Sequence, residues 1–283
     1  PAAACGLVTL KPGRGVVPAD IGLDNWSGMA ENGALATTVG ALANAHAVLA
    51  GAEPAVPADP GRPLRIAVST RSPVPGVRAD APALAAVDEV VARLVAAGHT
   101  VVRRDPPLTT GAAVGGFAQW MAGADDDITH YGLDRAALQP RSRGHARVGR
   151  LMRRAGLVRP RTGERFRERM TGFFEDVDML LTPVTAGPPL PARPWHERSF
   201  LANVTANSRW APWAAPWNVA GLPALALPAG TRPEGLPLAV QFVGPPGAEA
   251  RLLWLAGELE RLQPWRRYAP VFDPTAPTSS VPV

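Results

Sequence analysis

The side chains able to do chemistry in this 283-residue sequence are few and scattered. Cys5 is the one cysteine and Lys11 the one lysine. A thiol becomes a nucleophile when a base or cation lowers its pKa. No such group adjoins Cys5, which reads as a small buried apolar residue. Asn218 and Gln241 are amides set among apolar neighbours. A buried amide has to find partners, so each either pins a loop or strand or contacts a bound molecule. Trp195, Trp210, Trp213 and Trp217 crowd one Pro-rich stretch. Four indoles there can line an apolar pocket for an aryl or long aliphatic group, or pack a core; both readings stay open.

Other constellations carry less. Asp125-Asp126-Asp127 with His130 is oxygen-rich, but its spacing fits no ion-binding pattern. No Gly-x-Ser-x-Gly elbow, P-loop or dinucleotide fingerprint occurs. One cysteine excludes an internal disulfide framework and a cysteine-rich zinc site. No metal site and no cofactor is expected. The net charge of +5 is uneven, because residues 135–169 hold twelve arginines against Glu164 and Glu168. Arg143, Arg147, Arg150 and Arg154 recur at spacings that put them on one helix face. Aromatic residues are sparse there and no nucleic-acid motif is present, so a solvated or partner-contacting face is expected rather than nucleic-acid binding.

These groups need elements to position them. Hydrophobic residues make up 46% of the chain, enough for a core, and no apolar run is long enough to span a membrane. A short buried strand is expected at Leu7, Val8 and Leu10, then a Gly/Pro loop, with Asp20–Asn32 loop-like as well. A helix is expected over 33–49, followed by a Pro-rich linker over 53–63. Leu64–Ser69 and Thr100–Val102 read as strands around an amphipathic helix over 80–97, ended by Gly98. Residues 112–174 read as helices broken near Gly132, Pro140, Gly156 and Pro160. Strands follow at 177–181, 223–228 and 236–243, the last two joined by the Gly230–Gly235 turn. A helix over 249–262 precedes a Pro-rich tail over about 264–283. The pattern is α/β, a mixed central sheet flanked by helices in one domain over 1–283.

Three blocks carry a family resemblance. Pro1-Ala-Ala-Ala-Cys5-Gly6-Leu-Val-Thr-Leu-Lys11-Pro12 resembles the second half of the amidase signature, the stretch after the serine nucleophile. Gly33-Ala-Leu-Ala-Thr-Thr-Val39 resembles the helix that follows, with Ala34, Thr37 and Ala41 replacing the usual proline, arginine and aspartate. Asp178-Met-Leu-Leu-Thr-Pro183, Pro216-Trp-Asn218-Val-Ala-Gly221-Leu-Pro223 and Gly235-Leu-Pro-Leu-Ala-Val-Gln241 resemble the C-terminal core in order and spacing. The match is weak over about residues 105–175.

The resemblance implies an enzyme that hydrolyses a carboxylic amide C–N bond to an acid and an amine or ammonia. It implies a Ser–Ser–Lys mechanism: lysine as base, one serine as relay, the other as nucleophile. It also places all three residues ahead of Pro1, so none is catalytic here, and the isolated chain is expected to be inactive. Lys11 matches a position after the nucleophile. The closest branch acts on aryl or aliphatic amides, cyclic amides included. No carboxylate lies between Trp210 and Trp217, which argues against the transamidase branch. Trp213, Trp217, Asn218 and Gln241 are the candidate substrate-binding residues. Thr37 and Ala41 motivate the alternative, an inactive amidase-like binding or partner subunit.

The expected partner is a small-molecule amide, with no nucleic acid and no membrane; a homodimer of the full-length protein is left open. The first residues show neither the charged nor the apolar segment of a signal peptide, and the chain lacks an initiator Met, which fits a fragment. A cytoplasmic location and unpaired, association-prone sheet edges are further expectations.

Overall fold

Residues 1–22, 24–53, 59–159 and 161–268 are described by the computed structural model. Much of the expected linker, Pro160, and the tail from 269 onward lie outside the described residues.

Seven strands of the described residues form one sheet: β1 (Val8–Lys11), β2 (Leu35–Ala36), β3 (Arg65–Val68), β4 (Thr100–Arg103), β5 (Met179–Pro183), β6 (Ala224–Thr231) and β7 (Pro237–Val243). Their order is β2-β1-β6-β7-β5-β3-β4. β3 runs parallel to β4 and to β5, and the remaining pairs are antiparallel. The mixed sheet follows from the connections. A helix joins β3 to β4, which permits parallel pairing, whereas β6 and β7 meet through the tight Gly230–Gly235 turn and must be antiparallel.

The helices are α1 (Ala2–Cys5), α2 (Asp24–Gly28), α3 (Val39–Leu49), α4 (Ala81–Ala96), α5 (Thr110–His130), α6 (Pro140–Arg154), α7 (Thr162–Phe173), α8 (Phe200–Trp210), α9 (Ala215–Ala220) and α10 (Glu249–Leu262). Asp80 caps α4 by accepting from the Ala83 N–H. Its carboxylate also holds the buried Arg232 guanidinium at 2.7 Å, which ties α4 to the β6–β7 turn.

The sheet divides the core in two because side chains alternate along a strand. Ile66, Val68, Met179, Leu181, Leu225 and Phe242 enter one cluster with Leu42 of α3, Leu94 of α4 and Leu255 of α10. Ala67, Leu180, Ala224 and Val243 enter the other with Phe166 and Met170 of α7 and Trp217 of α9.

Three expectations are corrected. The helix expected from Gly33 begins at Val39, and Leu35–Ala36 pairs instead with β1. Thr38 sets that start by accepting from the Ala41 N–H at 3.2 Å, while Glu260 Oε2 of α10 accepts from the Val39 N–H at 3.1 Å. Cys5 is exposed rather than buried, because α1 turns Ala2 and Ala3 inward. The stretch over 20–32 is no plain loop. Asp24, Asn25, Trp26 and Ser27 all take positive φ, giving α2 a left-handed turn.

Candidate active-site wall

Two segments meet beside β1 and β6. The first is the loop after β1, with its Gly13-Arg14-Gly15 run; the second is α9 with its flanking residues. Arg14 joins them. Its Nε donates to the Gly28 carbonyl at 2.9 Å and its Nη2 to the Val219 carbonyl at 3.2 Å, while its backbone N–H donates to Gly221 O at 3.0 Å. The guanidinium passes so close to Gly28 and Gly221 that a Cβ at either position would lie within 3.0 Å of it. Both glycines also take φ in the left-handed region, 68° and 63°. Asn218 of α9 adds a second tie, its Nδ2 donating to the Met29 carbonyl at 2.8 Å. Trp26 carries the connection to α5, its indole N–H donating to Asp127 Oδ2 at 2.6 Å.

Lys11 lies at the end of β1, below this junction. Its Nζ donates to the Pro12 carbonyl at 2.7 Å. Burial lowers its pKa to about 8, although Glu31 and Glu249 pull the other way. Burial likewise pushes the Glu31 carboxyl up, against a hydrogen bond from the Gly15 N–H. One Glu31 oxygen is buried without a partner. Glu249, at the start of α10, accepts from the Gly13 N–H at 2.8 Å and so holds the loop against α10. Among the described residues no serine hydroxyl pairs with Lys11, so no nucleophile–base pair of that kind is assembled here.

The candidate binding residues are buried or half-buried in the wall itself. Trp213 and Trp217 are each 1% exposed. Their rings enter opposite clusters of the core, so they do not line one shared pocket within this chain. The Trp213 indole N–H donates to Arg71 O at 3.0 Å, whereas that of Trp217 is buried without a partner. Gln241 faces Thr182 across the β5–β7 pairing. Its Nε2 donates to Thr182 Oγ1 at 3.2 Å and to Trp213 O at 3.1 Å. Gln241 and Trp213 are therefore brought together, as are Trp217 and Asn218 on α9. Trp195 and Trp210 lie outside the two clusters, both half-buried.

Sequence reasoning missed Arg14, Glu31 and Glu249. The available signal was a charged residue between two glycines and two prolines, where a backbone carbonyl can come close.

The acidic run resolves into ion pairs. Asp125 receives Arg135 and Arg150, each at 2.8 Å, and Asp126 receives Arg153 at 2.6 Å. Arg150 thus leaves the expected basic stripe to staple α6 onto α5, while Arg143 donates to the Ala136 and Leu138 carbonyls. No group of three His, Cys, Asp or Glu able to hold a metal occurs among the described residues. Among them no helix is long and apolar enough to cross a membrane.

Comparison with known proteins agrees with this architecture. The amidase family profile matches residues 1–253. Putative amidase AmiB2 of Mycobacterium tuberculosis is 34% identical over 280 residues, covering 95% of this chain and 60% of that protein. The chain therefore spans about 60% of the length of this relative. Among solved structures, 6-aminohexanoate cyclic dimer hydrolase superposes with a TM-score of 0.77 at 24% identity, covering 93% of this chain and 62% of that one. A bacterial aryl acylamidase superposes with a TM-score of 0.72 at 18% identity, covering 93% and 60%.

Proposed function

This chain belongs to the amidase signature family, and on that premise we propose that it forms the central sheet and one wall of the site in an enzyme that hydrolyses carboxylic amides. Cleavage proceeds by a Ser–Ser–Lys relay. A neutral lysine takes a proton through the bridging serine as the second serine attacks the amide carbonyl. Backbone N–H groups hold the oxyanion, the amine leaves with the relayed proton, and water hydrolyses the acyl-enzyme. No cofactor is needed for these steps.

The relay residues belong to polypeptide outside these 283 residues. The arrangement of Lys11 carries that reading. The chain's one lysine donates to its neighbour's carbonyl, among two carboxylates and Arg14. The role of the present chain is to hold the wall. Arg14 and Asn218 knit α9 to the loop after β1, and Gln241 with Trp213 and Trp217 braces α9 from below. Small amides with aryl or aliphatic acyl groups are the proposed substrates. The names of the two structural neighbours, one acting on a cyclic dimer and one an aryl acylamidase, point the same way.

The test compares the 283-residue chain with a form extended by the polypeptide encoded ahead of Pro1, on a panel of anilides, aliphatic amides and cyclic amides. Turnover by the extended form alone is expected. Turnover by the 283-residue chain overturns the assignment of the relay. Silence of a folded extended form on every amide supports the alternative, an amidase-like binding or partner subunit.

A further inference from the structure

A cavity of about 250 Å³ opens between the first turn of α5 and the side of α7. Three arginines line it: Arg159 ahead of α7, and Arg165 and Arg169 on it. None of the three has a carboxylate within salt-bridge distance among the described residues. No Asp or Glu lines the cavity. Elsewhere in the same basic region Arg135, Arg150 and Arg153 are neutralised by Asp125 or Asp126. Three exposed cations around one space give it a positive potential that salt screens.

The rest of the lining is of two kinds. Thr109 and Thr162 supply hydroxyls, and Arg169 Nη1 donates to Thr109 Oγ1 at 3.3 Å, which holds that guanidinium at the rim. Val114, Leu157 and Phe166 supply an apolar surface. The shape follows from two glycines of α5. At Gly115 a Cβ would lie 2.6 Å from Thr162 Cγ2, so α5 and α7 cross closely there. At Gly111 a Cβ would meet nothing within 4 Å, so the space above the crossing stays open.

We propose that this cavity binds a small phosphate monoester with an apolar body. A phosphate dianion offers three oxygens and two charges to three guanidiniums, where a monocarboxylate offers two oxygens and one charge. The apolar lining receives an aryl or short alkyl group. The N-terminal ends of α5 and α7 border the cavity and add to its positive potential. The inference is independent of the amidase reading, since it uses none of the residues of the wall.

The experiment is a calorimetric titration of the 283-residue protein with phenyl phosphate, with benzoate and inorganic phosphate as comparators. Phenyl phosphate is expected to bind about tenfold or more tightly than either, and less tightly as salt rises. Arg165→Ala combined with Arg169→Ala should weaken it at least about tenfold. Arg147→Ala, on α6 and outside the cavity lining, should leave it unchanged. Gly111→Leu should abolish binding by filling the space while keeping every charge, with a thermal melt confirming the fold. No binding up to about 5 mM, weaker than the millimolar end of specific affinities, overturns the proposal. Equal weakening by Arg147→Ala, or binding undisturbed by Gly111→Leu, overturns it too by showing only diffuse attraction to a basic surface.

Discussion

The side-chain amide of Gln241 reaches from β7 to the carbonyl of Trp213, 3.1 Å away. This bond and the one to Thr182 Oγ1 account for both N–H groups of a buried amide. They fix the height of the Trp213 segment above the strands.

Gln241→Leu keeps the approximate volume but leaves the Trp213 carbonyl without this donor. A loss of about 1–3 kcal/mol is expected, read as a lower urea midpoint with an unchanged m-value. An amidase assay on the extended form should show the larger effect in turnover if the wall loosens.

Lys11 makes stability depend on alkaline pH. Its folded pKa, about 8, lies below its ordinary 10.5, so the native state binds fewer protons between those values. Stability should therefore rise as pH climbs from about 8 to about 10.5. Below that window the ammonium is charged in both states and the full cost of burying it is present, on the order of 3 kcal/mol. Lys11→Met should flatten this rise, as measured by chemical denaturation at a series of pH values.

Asp178 acts at the acidic end. Burial alone would raise its carboxyl, but hydrogen bonds from Arg62 and from the Arg65 N–H, and the charges of Arg62 and Arg251, outweigh it and hold the carboxyl below the usual range. A depressed folded pKa gives stability that is complete above the unfolded value, near 4, and is lost as pH falls through the folded one. Asp178→Asn should cost about 1–2 kcal/mol at pH 7, allowing for the exposure of Arg62. The gap from the parent should close as pH drops below about 4.

Two glycines on neighbouring helices should respond in opposite directions. A Cβ at Gly149 of α6 would lie 2.1 Å from the Met121 carbonyl oxygen of α5, so Gly149→Ala must force the two helices apart. A destabilisation of about 1–3 kcal/mol is expected. At Gly172 of α7 a Cβ meets nothing within 4 Å, and Gly172→Ala should stabilise by about 0.5–1 kcal/mol. Thermal melts of the two variants read this contrast directly.

The parts of the fold that were legible are those where one period dominates. The β6–β7 hairpin shows its glycine turn between apolar runs, and α4 and α10 show spaced apolar residues with clear ends. The Ala-rich run after Gly33 carries no such contrast, so the short β2 strand was absorbed into a helix. The left-handed turn of α2 was illegible for another reason: Asp24, Asn25, Trp26 and Ser27 hold positive φ in a setting that joins Arg14 to Gly28 O and Trp26 to Asp127. In the wall, Asn218 and Gln241 stood out as polar residues in apolar surroundings. Arg14 did not, because its partners are carbonyls at Gly28 and Val219, on segments remote in sequence.

The four-residue interval between Trp213 and Trp217 has a mechanical meaning. One indole is seated in each half of the interior, so this short segment acts as a rivet through both layers. Loosening either layer drags on the other, and the two should melt in a single transition instead of peeling apart one after the other.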